Sequence, residues 1–287
     1  MNSQAEKPEA DDRIEPWQTP AGDPAERSVF LTVEDIPLFI YIFRPSSGGG
    51  RNPAVIFFHG GGWSGGGPGQ LFSHARYFAS RGMVAFSVQY RAHAEPDDTT
   101  PAQAVERARA AYRWVLANAT ALGVDPACVA VSGSSAGGHL AAAVALLPEP
   151  GSELPAAPAP AAMVLFNPVT DTTTSGYHPE RFAGMNPPIE SLSVCDPRLI
   201  GPQCPSTLIC HPIADATVPY ENSSRFCELL LRAGVRCTLV GVEGVGHGYI
   251  YAGAANRPAV ESIRQMDGFL RDLGFLQGEP TISFDGP

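Results

Sequence analysis

Short apolar runs alternate with segments of helical periodicity along most of the chain. Two runs, 28–33 and 37–43, flank an Asp-containing turn and predict an antiparallel hairpin. The run 54–58 is apolar throughout, as is typical of a strand buried on both faces of a parallel sheet. Further strands are predicted at 83–88, 127–132, 162–166, 206–211 and 236–242. Helices are predicted at 70–81, 101–121, 138–145, 221–233 and 258–273. This alternation predicts an α/β fold with a mostly parallel central sheet and helices on both faces.

Two segments lack any periodicity. Residues 1–26 are rich in Pro and acidic side chains, which favours a flexible N-terminal arm preceding one domain over 27–287. The connection 169–204 is long and rich in Pro, Ser, Thr and Gly. Because loops of this length in a compact domain usually serve function, it is predicted to form a short lid or a wall of the substrate cleft.

Composition narrows the classes of partner. The 287 residues are 44% hydrophobic and carry a formal charge of −10, with Lys7 as the only lysine. Nucleic acids and anionic membranes require a basic surface, so neither is an expected partner. The N-terminus has no apolar signal core, and no stretch is long enough for a membrane span. A cytoplasmic location is expected, unless a leader has been removed.

The six cysteines show no C-x-x-C spacing, so no metal site is predicted from them. Several lie in apolar runs, where cysteine acts as a small hydrophobic residue. Reduced thiols are the expectation. Cys195 and Cys204 flank a Pro-containing loop and are the alternative pair in an oxidising setting.

A G-x-S-x-G pentapeptide, 133–137, joins the strand 127–132 to an Ala-rich helix. On such a strand-to-helix turn the hydroxyl of Ser135 is held above the sheet, and the glycines give the backbone room to turn. The helix begins beneath the serine, so its N–H groups face an oxyanion formed there. Ser135 is therefore the candidate nucleophile.

A serine nucleophile needs a base and an acid that orients the base. His247 follows the last predicted strand in a glycine-rich loop and is the candidate base. Asp215 follows the strand 206–211 in a turn stiffened by prolines and is the candidate acid, with Asp171 as its rival after the preceding strand. The order Ser, Asp, His along the chain is that of the α/β-hydrolases.

The sequence His-Gly-Gly-Gly-Trp at 59–63 directly follows the strand 54–58. Glycines expose their backbone N–H groups, so Gly61 and Gly62 are predicted to form an oxyanion hole together with the N–H of Ala136. Trp63 is expected to bind substrate and shape the cleft.

Four motifs in this order resemble the α/β-hydrolase superfamily: H-G-G-G-W at 59–63, G-S-S-A-G-G at 133–138, D-x-x-V-P at 215–219 and G-H-G at 246–248. They are most similar to the H-G-G-G-W esterases, which include acetyl-xylan and feruloyl-type carbohydrate esterases and border on the hormone-sensitive-lipase-like group. The similarity spans about residues 30–273. Two departures are evident: H-P-I-A replaces the usual H-G-T-x at 211–214, and the N-terminal cap helices are missing or short, which predicts an open site.

The resemblance implies a serine esterase without metal or cofactor that cleaves short acyl, above all acetyl, esters of small molecules through an acyl-enzyme. An amidase such as a formamidase, or an acyltransferase, is the alternative that uses the same triad. A ligand-binding receptor on an inactive hydrolase fold is the non-enzymatic alternative. The alcohol group and the oligomeric state, including a homodimer, are left open.

Overall fold

An eight-stranded sheet forms the centre of the chain in the computed structural model, which describes residues 26–46, 50–91, 99–148, 157–251 and 256–283. The strands are β1 (Glu26–Val33), β2 (Ile36–Phe43), β3 (Asn52–Phe58), β4 (Val84–Val88), β5 (Val124–Ser134), β6 (Ala162–Phe166), β7 (Ser206–Pro212) and β8 (Cys237–Val242). Their order is β1-β2-β4-β3-β5-β6-β7-β8. β2 is antiparallel to both of its neighbours, and all later pairs are parallel. The mostly parallel sheet is therefore confirmed.

The predicted hairpin is formed by β1 and β2. Its two turn residues, Glu34 and Asp35, have φ values of 49° and 66°. A two-residue turn with both φ angles positive matches the right-handed twist of the strands it joins. Glu26, which the sequence placed at the end of the arm, is the first residue of β1. The rest of the predicted arm lies outside the described residues.

Helices cover both faces of the sheet, as the alternating pattern predicts. They are α1 (Phe72–Ser80), α2 (Pro101–Ala117), α3 (Ala119–Leu122), α4 (Ala136–Leu146), α5 (Glu221–Arg232) and α6 (Arg257–Asp272). α1 and α6 pack on the face that carries Phe57, whereas α2, α4 and α5 pack on the face that carries Ile56. Neighbouring residues of β3 thus pack on opposite faces of the sheet, in two separate layers of the core. None of the described helices is both long enough and apolar enough to cross a bilayer.

Two of the predicted helices are divided in the structure. The predicted helix 101–121 divides at Asn118 into α2 and α3, and 68–71 form a 3₁₀ turn before α1. α2 begins where its periodicity does, because Thr100 and Gln103 form a reciprocal capping box.

The connection 169–204 contains two short 3₁₀ turns, Glu180–Phe182 and Ile189–Leu192. It packs against α4, since the Leu192 carbonyl lies 2.8 Å from His139 Nε2. A second hydrogen bond, from Thr172 Oγ1 to the Ile189 carbonyl at 2.7 Å, closes the segment on itself. Its role as a lid or cleft wall stays a prediction.

The expectation of six reduced thiols is wrong at one pair. Cys227 of α5 and Cys237 of β8 form a disulfide, with Cα atoms 5.7 Å apart. Cys195 and Cys204, the pair that the sequence offered as an alternative, are both free. The pairing depends on α5 packing beside β8, a tertiary contact that cysteine spacing does not encode.

Alkylation of the denatured protein without reductant is expected to modify the four free cysteines, Cys128, Cys195, Cys204 and Cys210. Mass spectrometry after reduction should then show two further adducts. The Cys227→Ser/Cys237→Ser variant should lose roughly 3 kcal/mol of unfolding free energy, because a closed loop of about this size restricts the unfolded chain. Six adducts before reduction would show that the pair is not formed.

Candidate active site

Ser135 lies in a sharp turn between β5 and α4. Its φ of 57° and ψ of −122° are strained for a residue with a side chain. Two hydrogen bonds hold the turn: the Ser135 N–H donates to the Phe166 carbonyl at 3.0 Å, and the Val169 N–H donates to the Ser135 carbonyl at 3.2 Å. A Cβ added at Gly133 would collide with the backbone of Gly137, so this turn requires glycine at that position. The predicted nucleophile position is thus held rigidly.

His247 lies between Ser135 and Asp215. Its Nε2 is 2.8 Å from Ser135 Oγ, and its Nδ1 is 2.7 Å from Asp215 Oδ2. In the tautomer that satisfies both contacts, Nδ1–H donates to the carboxylate and Nε2 accepts from the serine hydroxyl. The His247 side chain is 20% exposed, whereas the Asp215 side chain is fully buried. The structure therefore brings the three predicted residues into one hydrogen-bonded line.

The Asp215 carboxylate is held by its own turn. Oδ1 accepts the backbone N–H groups of Thr217 and Val218 at 2.8 and 3.0 Å, and Oδ2 lies 3.4 Å from His211 Nε2. Burial alone would raise the pKa of Asp215, but the hydrogen bonds from His211, His247 and the two N–H groups outweigh it and hold that pKa well below its usual range. The group facing His247 is therefore a carboxylate at neutral pH.

Asp171, the alternative candidate for the orienting acid, forms its hydrogen bonds with residues other than His247. Its Oδ2 accepts from Arg225 Nη1 of α5 at 2.9 Å. Its Oδ1 accepts from the backbone N–H and the hydroxyl of Thr173 at 2.9 and 2.6 Å. These contacts account for the buried carboxylate as a structural group of the 169–204 segment.

The glycine segment after β3 adopts conformations that favour glycine. Gly61 and Gly62 have φ values of 119° and 60°. The Gly65 N–H donates to the Gly61 carbonyl at 2.8 Å, which closes a tight turn. A Cβ at Gly60 would lie 3.4 Å from Ser135 Cβ, so the segment runs beside the serine. Ala136 is the first residue of α4, where a backbone N–H has no acceptor within the helix.

The residues on either side of these glycines are enclosed. His59 stacks on Tyr90, and burial lowers the pKa of His59 to about 3, so its ring is neutral. Trp63 is 0% exposed, and its indole N–H donates to His139 Nδ1 at 3.2 Å. Trp63 therefore packs against α4, and the predicted contact between Trp63 and substrate stays a prediction.

Comparison with known proteins identifies the fold family. A family model described as alpha/beta hydrolase fold matches residues 55–196. The apo form of Thermogutta terrifontis esterase 2 is 35% identical and superposes with a TM-score of 0.81 over 91% of this chain and 98% of that one. The chain belongs to the α/β-hydrolase family. The propionate-bound form of the same esterase, 34% identical, gives a TM-score of 0.80 with coverage of 91% and 98%.

Similarity to a curated relative covers a smaller part of this α/β-hydrolase. Carboxylesterase NlhH of Mycobacterium tuberculosis is 40% identical over 124 residues. That alignment covers 42% of this chain and 37% of the relative, so the chain spans little more than a third of that protein's length. The predicted membership of the H-G-G-G-W carbohydrate-esterase group stays a prediction.

Three polar residues of this α/β-hydrolase lie at the site without having been predicted there. His211, at the end of β7, contacts Asp215. Asn167 directly follows β6, and its Nδ2 lies 3.3 Å from His247 Nδ1. Tyr251 accepts the Gly60 N–H at 3.0 Å. The position of Asn167 at a strand end is a signal that could have identified it; the other two contacts are tertiary.

A cavity of about 390 Å³ lies elsewhere, between α1 and α6, and its lining includes Ile250 but no member of the triad. It is therefore not the cleft above Ser135. Within the described ranges, His, Cys, Asp and Glu side chains form no group of three or more suited to a metal ion.

Proposed function

We propose that this α/β-hydrolase is a serine-dependent carboxylic ester hydrolase. The observation that carries the proposal is the continuous line Ser135 Oγ, His247, Asp215, with contacts of 2.8 and 2.7 Å. A histidine within hydrogen-bond reach of a strained serine and oriented by an ionised carboxylate is the arrangement that activates a serine nucleophile. Similarity to two esterases supports esters as the substrate class.

The geometry supports a two-step reaction. Ser135 Oγ attacks the ester carbonyl while its proton passes to His247 Nε2, and the carbonyl oxygen becomes an oxyanion. The N–H groups of Gly61, Gly62 and Ala136 are the proposed donors to that oxyanion. The tetrahedral intermediate collapses, and the leaving alcohol takes the proton from Nε2. Asp215 remains ionised and stabilises the imidazolium.

Water completes the cycle. It attacks the acyl-enzyme while His247 Nε2 takes one of its protons, and the second tetrahedral intermediate expels Ser135, which regains a proton from the imidazolium. The carboxylic acid is released. Each step uses only the triad, backbone donors and water.

The proposed acyl group is short, acetyl above all. Cover for the site is expected from one modest segment, 169–204, and Trp63 is fully buried, which favours a site with little apolar surface for a long acyl chain. The similar esterase from Thermogutta terrifontis has been described with propionate bound, a three-carbon acid. The cytoplasmic location and the possible homodimer stay predictions.

Turnover of a series of 4-nitrophenyl esters tests both the reaction and the acyl group. We expect kcat/KM to be highest for acetate or butyrate and to fall steeply through octanoate to decanoate, because only the modest segment 169–204 is expected to cover the site. Preference for decanoate would mean that the protein buries the chain, with about 0.8 kcal/mol for each bound methylene. An anilide and an alcohol acceptor in the same panel separate hydrolysis of esters from amidase and acyltransferase activity. The absence of ester turnover would contradict the proposal.

A further inference from the structure

The face of the His247 ring is covered by an amide. Asn167 Nδ2 lies 3.3 Å from Nδ1 and 3.4 Å from Nε2 of the ring. Both nitrogens already have partners, Asp215 and Ser135. A donor nearly equidistant from the two nitrogens lies over the ring face, where an N–H to π contact is formed. The amide thus opposes rotation of the ring out of the line between Asp215 and Ser135.

Asn167 is itself held firmly. It has zero exposure, and its φ of 36° is unusual for a residue with a side chain. Its backbone N–H donates to the Cys210 carbonyl at 2.8 Å, and its Oδ1 accepts from Ser134 Oγ at 3.4 Å. The Ser134 contact determines which end of the amide faces His247.

Tyr251 extends these contacts to the glycine segment. Its hydroxyl accepts the Gly60 N–H at 3.0 Å, and the Ser134 side chain lies close enough to that hydroxyl to act on the pKa of the phenol. Burial raises the pKa of Tyr251 to about 12, so the phenol is protonated and can donate. Gly60 N–H donates to Tyr251, Ser134 Oγ donates to Asn167 Oδ1, and Asn167 Nδ2 faces the His247 ring. A protonated phenol is free to donate to Ser134, so one set of donor directions satisfies every group from Gly60 to the base.

We propose that Tyr251, Ser134 and Asn167 form a polar chain that positions the His247 ring and the Gly60–Gly62 segment relative to each other. The three are positioning residues, since they act on the base and on the oxyanion donors and not on the substrate. The inference rests on the proposed function. Its geometric basis is that a Cβ at Gly60 would collide with Tyr251 Oη, so hydroxyl and backbone are in close approach.

Removal of the Tyr251 hydroxyl tests the chain with little disturbance of the fold. In Tyr251→Phe the Gly60 N–H keeps a second acceptor, Gln70 Oε1 at 3.1 Å, so the segment stays folded. We expect kcat for 4-nitrophenyl acetate to fall about tenfold with KM changed less than about twofold, because positioning in the transition state is lost and binding is not. Thermal unfolding of the variant should be close to that of wild type.

Tyr249→Phe is the matched control. Tyr249 is buried in the same segment, and its hydroxyl hydrogen-bonds to Ser262 Oγ at 2.8 Å, outside the chain. This variant loses a buried hydroxyl hydrogen bond of the same kind and is expected to keep wild-type kcat. An equal loss of kcat in both variants, or full kcat in Tyr251→Phe, would overturn the positioning role.

Non-additivity of the losses in kcat provides a second test. Ser134→Ala should lower kcat about as much as Tyr251→Phe, since each interrupts the same chain. The double variant should then be hardly slower than either single variant, whereas independent effects would multiply to about a hundredfold. Multiplying effects would overturn the proposal.

Asn167→Asp tests the contact with the base. The side chains facing His247 are Asp215 from the turn after β7, Ser135 from the turn after β5, and Asn167 from the end of β6. His211, also on β7, touches Asp215. A second carboxylate against the ring favours its protonated form, so the acid limb of the kcat/KM profile should move up by about one pH unit or more. An acid limb at the wild-type pH would show that residue 167 does not act on the His247 ring.

The two proposals can fail separately. Absence of ester turnover by the wild-type protein would contradict the proposed function alone. The proposed polar chain would still be tested by the rate at which a fluorophosphonate reacts with Ser135 in wild type, Tyr251→Phe and Tyr249→Phe. Equal rates in all three proteins would contradict the proposed polar chain.

Discussion

Replacement of Ser135 by alanine is expected to lower kcat for an acetyl ester about a million-fold. In the proposed mechanism the side chain at this position supplies the oxygen that attacks the ester carbonyl, so no acyl-enzyme can form without it. The fold should survive, since the turn is held by backbone hydrogen bonds of Ser135 that alanine also makes. Steady-state kinetics, together with thermal unfolding of the variant, measures both effects.

Ser132 offers a matched control on the same strand. It is also buried, and within the described residues its Oγ has no hydrogen-bond partner. Ser132→Ala therefore removes a serine hydroxyl close to the site and should keep kcat within about twofold of wild type. If Ser135→Ala retained even about a hundredth of wild-type kcat, Ser135 would not be the nucleophile.

Asp215→Asn is expected to cost about four orders of magnitude in kcat, because an amide leaves His247 in the wrong tautomer. Asp171→Asn should cost less than about tenfold, since Asp171 pairs with Arg225 and does not contact the base. Both variants replace a buried carboxylate by its isosteric amide. The comparison thus separates orientation of the base from general effects of lost charge.

The melting temperature should be measured for both variants, and kcat should be measured for both on one acetyl ester. Asp171→Asn weakens a contact between the 169–204 segment and α5, so its effect should appear in the melting temperature more than in kcat. The reverse ranking of kcat losses would make Asp171 the orienting acid and reduce the Asp215 turn to a structural element.

The sheet could be predicted from the sequence, and so could the three residues Ser135, His247 and Asp215, because both depend on local sequence patterns. Continuous apolar runs identify parallel strands, and the ends of parallel strands meet at one edge of a sheet. The strand 237–242 pairs beside β7, with His211 in register opposite Gly241. This pairing is what brings the loop carrying His247 close to Asp215.

Contacts between distant segments could not be predicted in the same way. The partner of Cys227 is decided by how α5 packs on β8, not by the number of intervening residues. Trp63 follows the exposed glycines in sequence, yet the fold encloses its indole against His139. Tyr251 reaches Gly60 across 191 positions of the chain. Such contacts depend on side-chain packing in three dimensions, for which sequence periodicity holds no information.

The position of β8 has a consequence for how the protein is made. Among the described residues it is the last strand, and it lies at the edge of the sheet, paired on one side with β7. His247 follows it, so a chain emerging from the ribosome presents Ser135 long before its base has been synthesised. Domains generally fold as units, so the sheet is completed only once β8 is available. In the proposed mechanism, hydrolysis therefore requires that β8 has docked onto β7 and brought His247 to Ser135.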